Sequence, residues 1–371
     1  MMDNTKNIHI NKLPVRTWNK LKMNEASIEL GPKPSQALYK DEIPSGVDRV
    51  SGKAIGPMSD IPVNTGLGEE FDAYVTDMGI KSVGYITEDG VEADAPLYIS
   101  YGGVRHGKED EPATDDKIGL IDFTVGEKSS LTVIQDIADD DSRGAYTFVL
   151  QNKYHIAEGG SLTLIQVNRL GKEVCLCNDI GGYVADGGKF SLIQVILGGG
   201  VNYYGSNTGL TGNGSGVSID VAYSLDGEAS LDMNYVVDHR GRNSESNIGV
   251  SGVMKGSSKK LFRGTIDFHK GCAGAKGAEI EDVLLIDDTI VNQTIPLILC
   301  DEEDVEGSHG ATIGRLDEHL LTYMKSRGIS EKDAYVLMER AKIDAVAGKI
   351  EDDRIKGIIR TCMGDEPEAE V

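Results

Sequence analysis

Three stretches of the chain carry nearly the same alternation of polar and apolar positions. They are Glu127-Lys128-Ser129-Ser130-Leu131-Thr132-Val133-Ile134-Gln135, Glu158-Gly159-Gly160-Ser161-Leu162-Thr163-Leu164-Ile165-Gln166 and Asp186-Gly187-Gly188-Lys189-Phe190-Ser191-Leu192-Ile193-Gln194. Each joins an acidic residue and a small or polar turn to a five-residue strand ending in Ile-Gln. The glutamines stand 31 and 28 residues apart. Side chains alternate faces along a strand. One face therefore carries Leu131, Val133 and Gln135 with their equivalents, and the other a hydroxyl residue and an isoleucine. Looser copies follow at 231–235 and 262–268. A self-similar strand at this period signals stacked units, each covering its neighbour's apolar face. A sandwich would show turn signals every ~8–12 residues without the same strand recurring. The pattern predicts a β-helix with rungs stacked in parallel, in which Gln135, Gln166 and Gln194 form a hydrogen-bonded ladder along the axis.

The pattern changes at both ends. Residues 1–95 hold six of the ten prolines, and Pro96 follows. That density disfavours long regular elements and predicts a short helix near 17–23, then extended and irregular segments. The β-helix core is expected over 96–313. After Asp317, Leu320, Leu321 and Met324 take helical spacing, and Gly328 sits where a C′ glycine stops a helix. Ser330-Glu331-Lys332-Asp333 approximates a capping box. Ala334, Leu337, Met338, Ala341 and Ala345 then hold one apolar stripe, and Ile350, Ile355, Ile358, Ile359 and Cys362 mark a further helix. A helical domain over 314–364 and a disordered acidic tail over 365–371 are expected.

Composition narrows the function. The formal charge of −23 argues against nucleic acid, whose phosphates need cationic neutralisation, and against anionic membranes. No run of ~18 apolar residues spans a bilayer. Residues 1–22 lack the apolar core of a signal peptide, so a cytoplasmic location is expected. The five cysteines, Cys175, Cys177, Cys272, Cys300 and Cys362, are then expected to be reduced thiols.

Candidate chemistry is sparse. There is no phosphate-binding G-x-x-x-x-G-K-[ST] run, and the glycine-rich stretch 205–216 reads as a turn. Cys175 and Cys177 share a strand face and could ligate a soft metal, although such residues more often pack as small hydrophobes. Asp238 and His239 point to opposite faces of a strand and read as a structural pair. In the strip 296–312, a buried strand and Cys300 lead into the acids Asp301 to Asp304 and a small-residue turn bearing His309. The glycines nearby leave that imidazole accessible, so iron coordination and a solvated acidic loop both remain open.

At these residues the chain resembles the SufB/SufD family of iron–sulfur assembly proteins. The resemblance rests on Val283-Leu284-Leu285-Ile286, Ser308-His309-Gly310-Ala311-Thr312-Ile313-Gly314 and Leu321-Thr322-Tyr323-Met324-Lys325-Ser326-Arg327-Gly328-Ile329. Tyr204-Gly205-Ser206, Asp238-His239 and Phe262-Arg263-Gly264-Thr265-Ile266 add to it. It spans roughly residues 95 to 365. It implies a mainly β fold: a right-handed parallel β-helix core with a small C-terminal α-helical domain. B-type members resemble V-E-H-E-A-T where this chain has Gly307 to Thr312, and they carry a cysteine near the position of Glu281. Lacking both, this chain resembles the D-type.

The resemblance further implies a non-catalytic scaffold. Such a subunit pairs through its β-helix with a SufB-like partner and docks the SufC ATPase on its C-terminal helices. His309 is the implied iron or cluster ligand at the subunit interface. Ser308, Gly310, Thr312, Tyr323, Arg327 and Gly328 are implied partner contacts. The iron–sulfur cluster would be transient and shared, with none held permanently by this chain alone. A homo-oligomeric scaffold working with SufC alone, and a β-helix carbohydrate-active enzyme, are the alternatives.

Overall fold

The computed structural model describes residues 5–16, 19–51, 63–101, 116–139 and 144–364. The leading region holds an antiparallel pair, β1 (Lys6–Ile10) and β2 (Ala26–Leu30). Then come β3 (Ser35–Gln36), β4 (Lys40–Glu42), β5 (Val47–Ser51), helix α1 (Glu69–Asp77), β6 (Val83–Thr87) and β7 (Leu97–Ser100). Fourteen strands follow, two per turn. They are β8 (Lys117–Val125) and β9 (Ser130–Ala138), β10 (Tyr146–Ile156) and β11 (Ser161–Arg169), β12 (Val174–Val184) and β13 (Lys189–Ile196), and β14 (Val201–Leu210) and β15 (Gly216–Leu225). The last turns are β16 (Ser230–His239) and β17 (Glu245–Met254), β18 (Lys259–Phe268) and β19 (Ala275–Leu285), and β20 (Val291–Cys300) and β21 (Val305–Gly314). Helices α2 (Glu318–Ser326), α3 (Glu331–Ala347) and α4 (Asp353–Cys362) close the described chain.

From β8 onward each even strand pairs in parallel with the even strand one turn away, and each odd strand does the same. The product is a parallel β-solenoid of about seven turns, as the repeat predicts. Among the described residues one sheet has ten strands, nine in the path from β20 to β5 with β3 beside β8; the other has nine, from β21 to β4. Because β5 and β6 extend the first sheet and β4 and β7 the second, both sheets reach into the leading region.

The two faces of each strand have different fates. Leu131, Val133, Leu162, Leu164, Phe190 and Leu192 point between the sheets and join one long core. On the opposite face, Ile134, Ile165 and Ile193 pack against Ile343, Val346, Ile350, Ile355 and Ile359 of the C-terminal helical region. The recurring isoleucine is thus the seat of α3 and α4. Polar clasps fix that seat: Glu339 accepts from Lys255 Nζ at 2.9 Å and from Ser224 Oγ. Across the molecule, β1, β2 and α1 cover the outer face of the ten-stranded sheet beside Ile118, Val149 and Cys177.

Several expectations change. The copies at 231–235 and 262–268 lie on β16 and β18, in the sheet opposite the glutamine strands. Both strands of a turn bury alternate residues, so their patterns look alike. Residues 205–209 are not a turn but lie inside β14. A Cβ on Gly205 would sit 2.4 Å from the backbone of Gly66, so glycine there admits a crossing segment. Of the helix expected near 17–23, one 3₁₀ turn forms over Asn19–Leu21, while residues 17–18 lie outside the described residues. So does the tail 365–371. Helix α1 was not expected among the prolines, although its buried Phe71, Tyr74 and Val75 follow i, i+3, i+4 spacing.

Candidate functional site

The strands fix where each candidate side chain points. Ser308, His309, Gly310 and Thr312 all lie on β21, an edge strand that pairs only with β19 among the described residues, and all four are exposed. Strand β20, the edge of the other sheet, carries Pro296, a residue tolerated at edges because it donates no ladder hydrogen bond. Among the described residues, the last turn therefore has no further strand over it. Ile280, Val291 and Ile313 are exposed large apolar side chains at this end.

Reading down the interior columns shows what is distinctive here. His309 is in register with Glu279. Glu279 continues a column of Leu97, Val133, Leu164, Leu192, Ile219 and Ile248. Six aliphatic residues, each at most 2% exposed, thus give way to a carboxylate and then an imidazole. In-register residues share a face, about 4.8 Å apart, so Glu279 lies behind His309 in the next turn.

The neighbouring column behaves similarly. Ile99, Gln135, Gln166, Gln194, Val221, Val250, Glu281 and Ala311 follow one another. Gln166 Nε2 donates to Gln135 Oε1 at 2.7 Å, and Gln194 Nε2 donates to Gln166 Oε1 at 2.7 Å. The glutamine ladder forms as expected, inside the solenoid. Three positions after Gln194 the column supplies Glu281, two residues along the strand from Glu279. Lys260 Nζ, reaching from the opposite sheet, donates to Glu281 and, at 3.0 Å, to Thr294 Oγ1. The Thr294 hydroxyl donates to the other Glu281 oxygen at 2.7 Å.

Burial strains this ionic group. Loss of water pushes the Glu279 carboxyl up to about 7; nearby Glu281 adds to the rise and Lys260 opposes it. Burial also lowers the Lys260 ammonium from its ordinary value, against the pull of Glu281. A Cβ on Gly264 would stand 2.0 Å from a Glu279 oxygen, so glycine at that position leaves room for the carboxylate. Sequence reasoning missed Lys260, Glu279 and Glu281 as a group. The available signal was that Glu279 and Glu281 alternate in step with Val283, on what should be an apolar face.

The remaining candidates are dispersed. Tyr323 is exposed on α2, and Arg327 stacks over its ring at 5.2 Å. Gly328 has φ +85°, and its amide donates to Lys325 O while that of Ile329 donates to Met324 O, the two bonds that close a helix C-terminus. Cys175 and Cys177 share a face and pack in the apolar layer under the leading region. The Cys177 thiol is pushed well up by its hydrogen bond with Cys175 and by burial, a setting for packing and not for thiolate chemistry. His239 faces inward between Ser244 Oγ and Ser246 Oγ, each at 2.8 Å, and burial lowers its pKa to about 4.

Residues 119–342 match the family described as SUF system FeS cluster assembly, SufBD core domain. An iron–sulfur cluster assembly SufBD family protein of Mycobacterium leprae is 29% identical over 135 residues, 36% of this chain and 15% of the relative. The iron–sulfur cluster assembly protein SufD of Bacillus subtilis is 28% identical over 151 residues, 41% of this chain and 35% of its own. A SufBD family protein of Staphylococcus epidermidis is 27% identical over 153 residues, 41% and 33% of the two chains. The aligned stretches thus span 15% to 35% of these relatives' length. The core-domain match includes Glu279 and His309 and covers more than half of the 371 residues. On that ground the chain belongs to the SufB/SufD family of iron–sulfur cluster assembly proteins.

Proposed function

We propose that this chain is a D-type, non-catalytic scaffold subunit that presents His309 to a nascent iron–sulfur cluster at an interface with a B-type partner. The observation that carries this reading is the change of an interior aliphatic column into Glu279 and then exposed His309 at an uncovered solenoid end. Stacked repeats need a cap where they stop, and unpaired edges invite another chain. Strands β20 and β21, with Ile280, Val291 and Ile313 beside them, suit a partner of the same architecture. Ser308, Gly310 and Thr312 would meet it.

An imidazole is a fitting iron ligand. Glutamate occupies the position near which B-type members carry a cysteine, so the thiolate would come from the partner. The cluster is cargo in this reading, transient and shared. Helices α2 to α4 would dock SufC. The exposure of Leu320, Tyr323, Val336 and Leu337 supports an interaction surface there, with Arg327 and Gly328 shaping its edge. Movement of a docked ATPase could then reshape the cluster interface. The whole assembly would act in the cytoplasm.

Anaerobic reconstitution with iron and sulfide tests the ligand role, comparing wild type with His309→Ala by absorption spectroscopy in the presence of the partner subunits. The expected result is an intact complex that forms little or no cluster. Unchanged cluster formation sinks the ligand role. Mass measurement of the co-purified complex separates a B-type partner from a second copy of this chain, which the same edge strands could also accept.

A further inference from the structure

A second group of ligand-bearing side chains lies on the outer face of the ten-stranded sheet, away from the interior columns. Asp238 on β16 and Asp267 on β18 are in register on adjacent parallel strands. The backbone ladder therefore holds their carboxylates side by side. His269, just past β18, turns its Nε2 to 3.1 Å from Asp238 Oδ1 and 3.5 Å from Asp267 Oδ2. One ligand atom from each residue lies within 4.8 Å of the others. The three side chains are 17%, 19% and 28% exposed, so the group is walled by protein yet open on one side.

We propose that Asp238, Asp267 and His269 bind one divalent first-row transition ion, of the manganese(II) or iron(II) class. Metal–ligand bonds of about 2.1 Å place adjacent donors ~3.0 Å apart in an octahedron and ~3.4 Å apart in a tetrahedron. Two of the three donor pairs already have such spacings, and rotation of one carboxylate closes the third. The donor set is two hard oxygens and one borderline nitrogen, without sulfur. That combination suits manganese, iron(II) or zinc and disfavours copper(I) or a cluster.

The surroundings favour a cation. The acidic turn after β20 stacks directly on the turn that follows His269: Asp301 N donates to Phe268 O, and Gly271 N donates to Glu302 Oε2 at 2.9 Å. A bound divalent ion would neutralise two adjacent carboxylates that the His269 imidazole contacts. This proposal does not rest on His309 or on the cluster-assembly reading.

The test is a manganese(II) titration of the full chain, followed by electron paramagnetic resonance of the free ion. Wild type and His309→Ala should each bind one saturable equivalent with equal affinity. His269→Ala and Asp267→Asn should bind at least ten times more weakly. The proposal is overturned if wild type shows no saturable site, if folded His269→Ala keeps wild-type affinity, or if His309→Ala loses the site. Should the ligand variants fail to fold, pulsed resonance on manganese-loaded His309→Ala decides the matter. Coupling to a bound imidazole nitrogen is expected, and its absence overturns the proposal.

Discussion

The interior of this solenoid holds two polar groups that solve the same physical problem in opposite ways. In the middle turns, Gln135, Gln166 and Gln194 are neutral and nearly unexposed, and they bond to one another. Asn152 and Asn178 flank them, and Tyr235 donates to Gln194. In the last turns, the glutamine side of the core holds Glu279 and Glu281, met by Lys260 from the opposite sheet, with His309 beyond. A satisfied neutral network costs little to bury and fixes register. Buried charges are expensive even when paired. Stacking alone would be met by continued glutamines or valines, so the charge at the open end is not what stacking requires.

The comparison can be broken most severely at Lys260. Lys260→Ala leaves Glu281 buried without its countercharge and should cost on the order of 3–5 kcal/mol in denaturant unfolding. Replacing Lys260 and Glu281 together with methionine should cost far less. Equal losses would mean that the two groups are not coupled. Next comes the ladder. Gln166→Leu orphans groups on Gln135, Asn178 and Gln194 and should cost about 2–3 kcal/mol, with cluster formation per folded molecule unchanged. A specific loss of cluster formation there would erase the distinction between the two regions.

Glu279 gives a smaller effect with a defined sign. Its folded pKa of about 7 lies above the ordinary 4.5, so the folded state binds the extra proton. The stability this adds is complete below pH about 4.5 and is lost as the pH climbs through about 7. Glu279→Gln should remove that slope and gain roughly 2 kcal/mol at pH 8 relative to wild type. Parallel pH–stability curves for the two proteins would contradict the assignment. His309→Ala should move unfolding by less than about 0.5 kcal/mol, because the residue is exposed. Under the proposed ligand role, its effect should appear in cluster assembly instead.

Much of the fold is legible locally. The Ile-Gln repeat exposes both strand faces, the glutamine ladder and the stacked architecture, because a strand's period of two links sequence directly to facing. The helices from α2 onward announce themselves through spacing, Gly328 and Ser330. What stays hidden depends on register between strands about 30 residues apart. Nothing local marks β16 and β18 as belonging to the opposite sheet, since both strands of a turn alternate alike. Helix α1 is masked by the proline-rich context around it, and its amphipathic trio is short.

The candidate site divides along the same line. His309 could be read in the sequence as an accessible imidazole beside an acidic loop, and family resemblance raised it further. Glu279 and Lys260 could not be joined to it, because they come from two sheets and meet only when the solenoid closes. The carboxylate pair of Asp238 and Asp267 likewise exists only through parallel register. The sequence by itself determined how side chains alternate along each strand, that similar strands recur and where the C-terminal helices start. Tertiary structure alone decided which inward residues stack on one another, and therefore where an apolar column ends in ionisable side chains. The reason is physical: facing is set by neighbouring backbone dihedrals, whereas stacking is set by hydrogen bonds between turns that no short stretch of sequence contains.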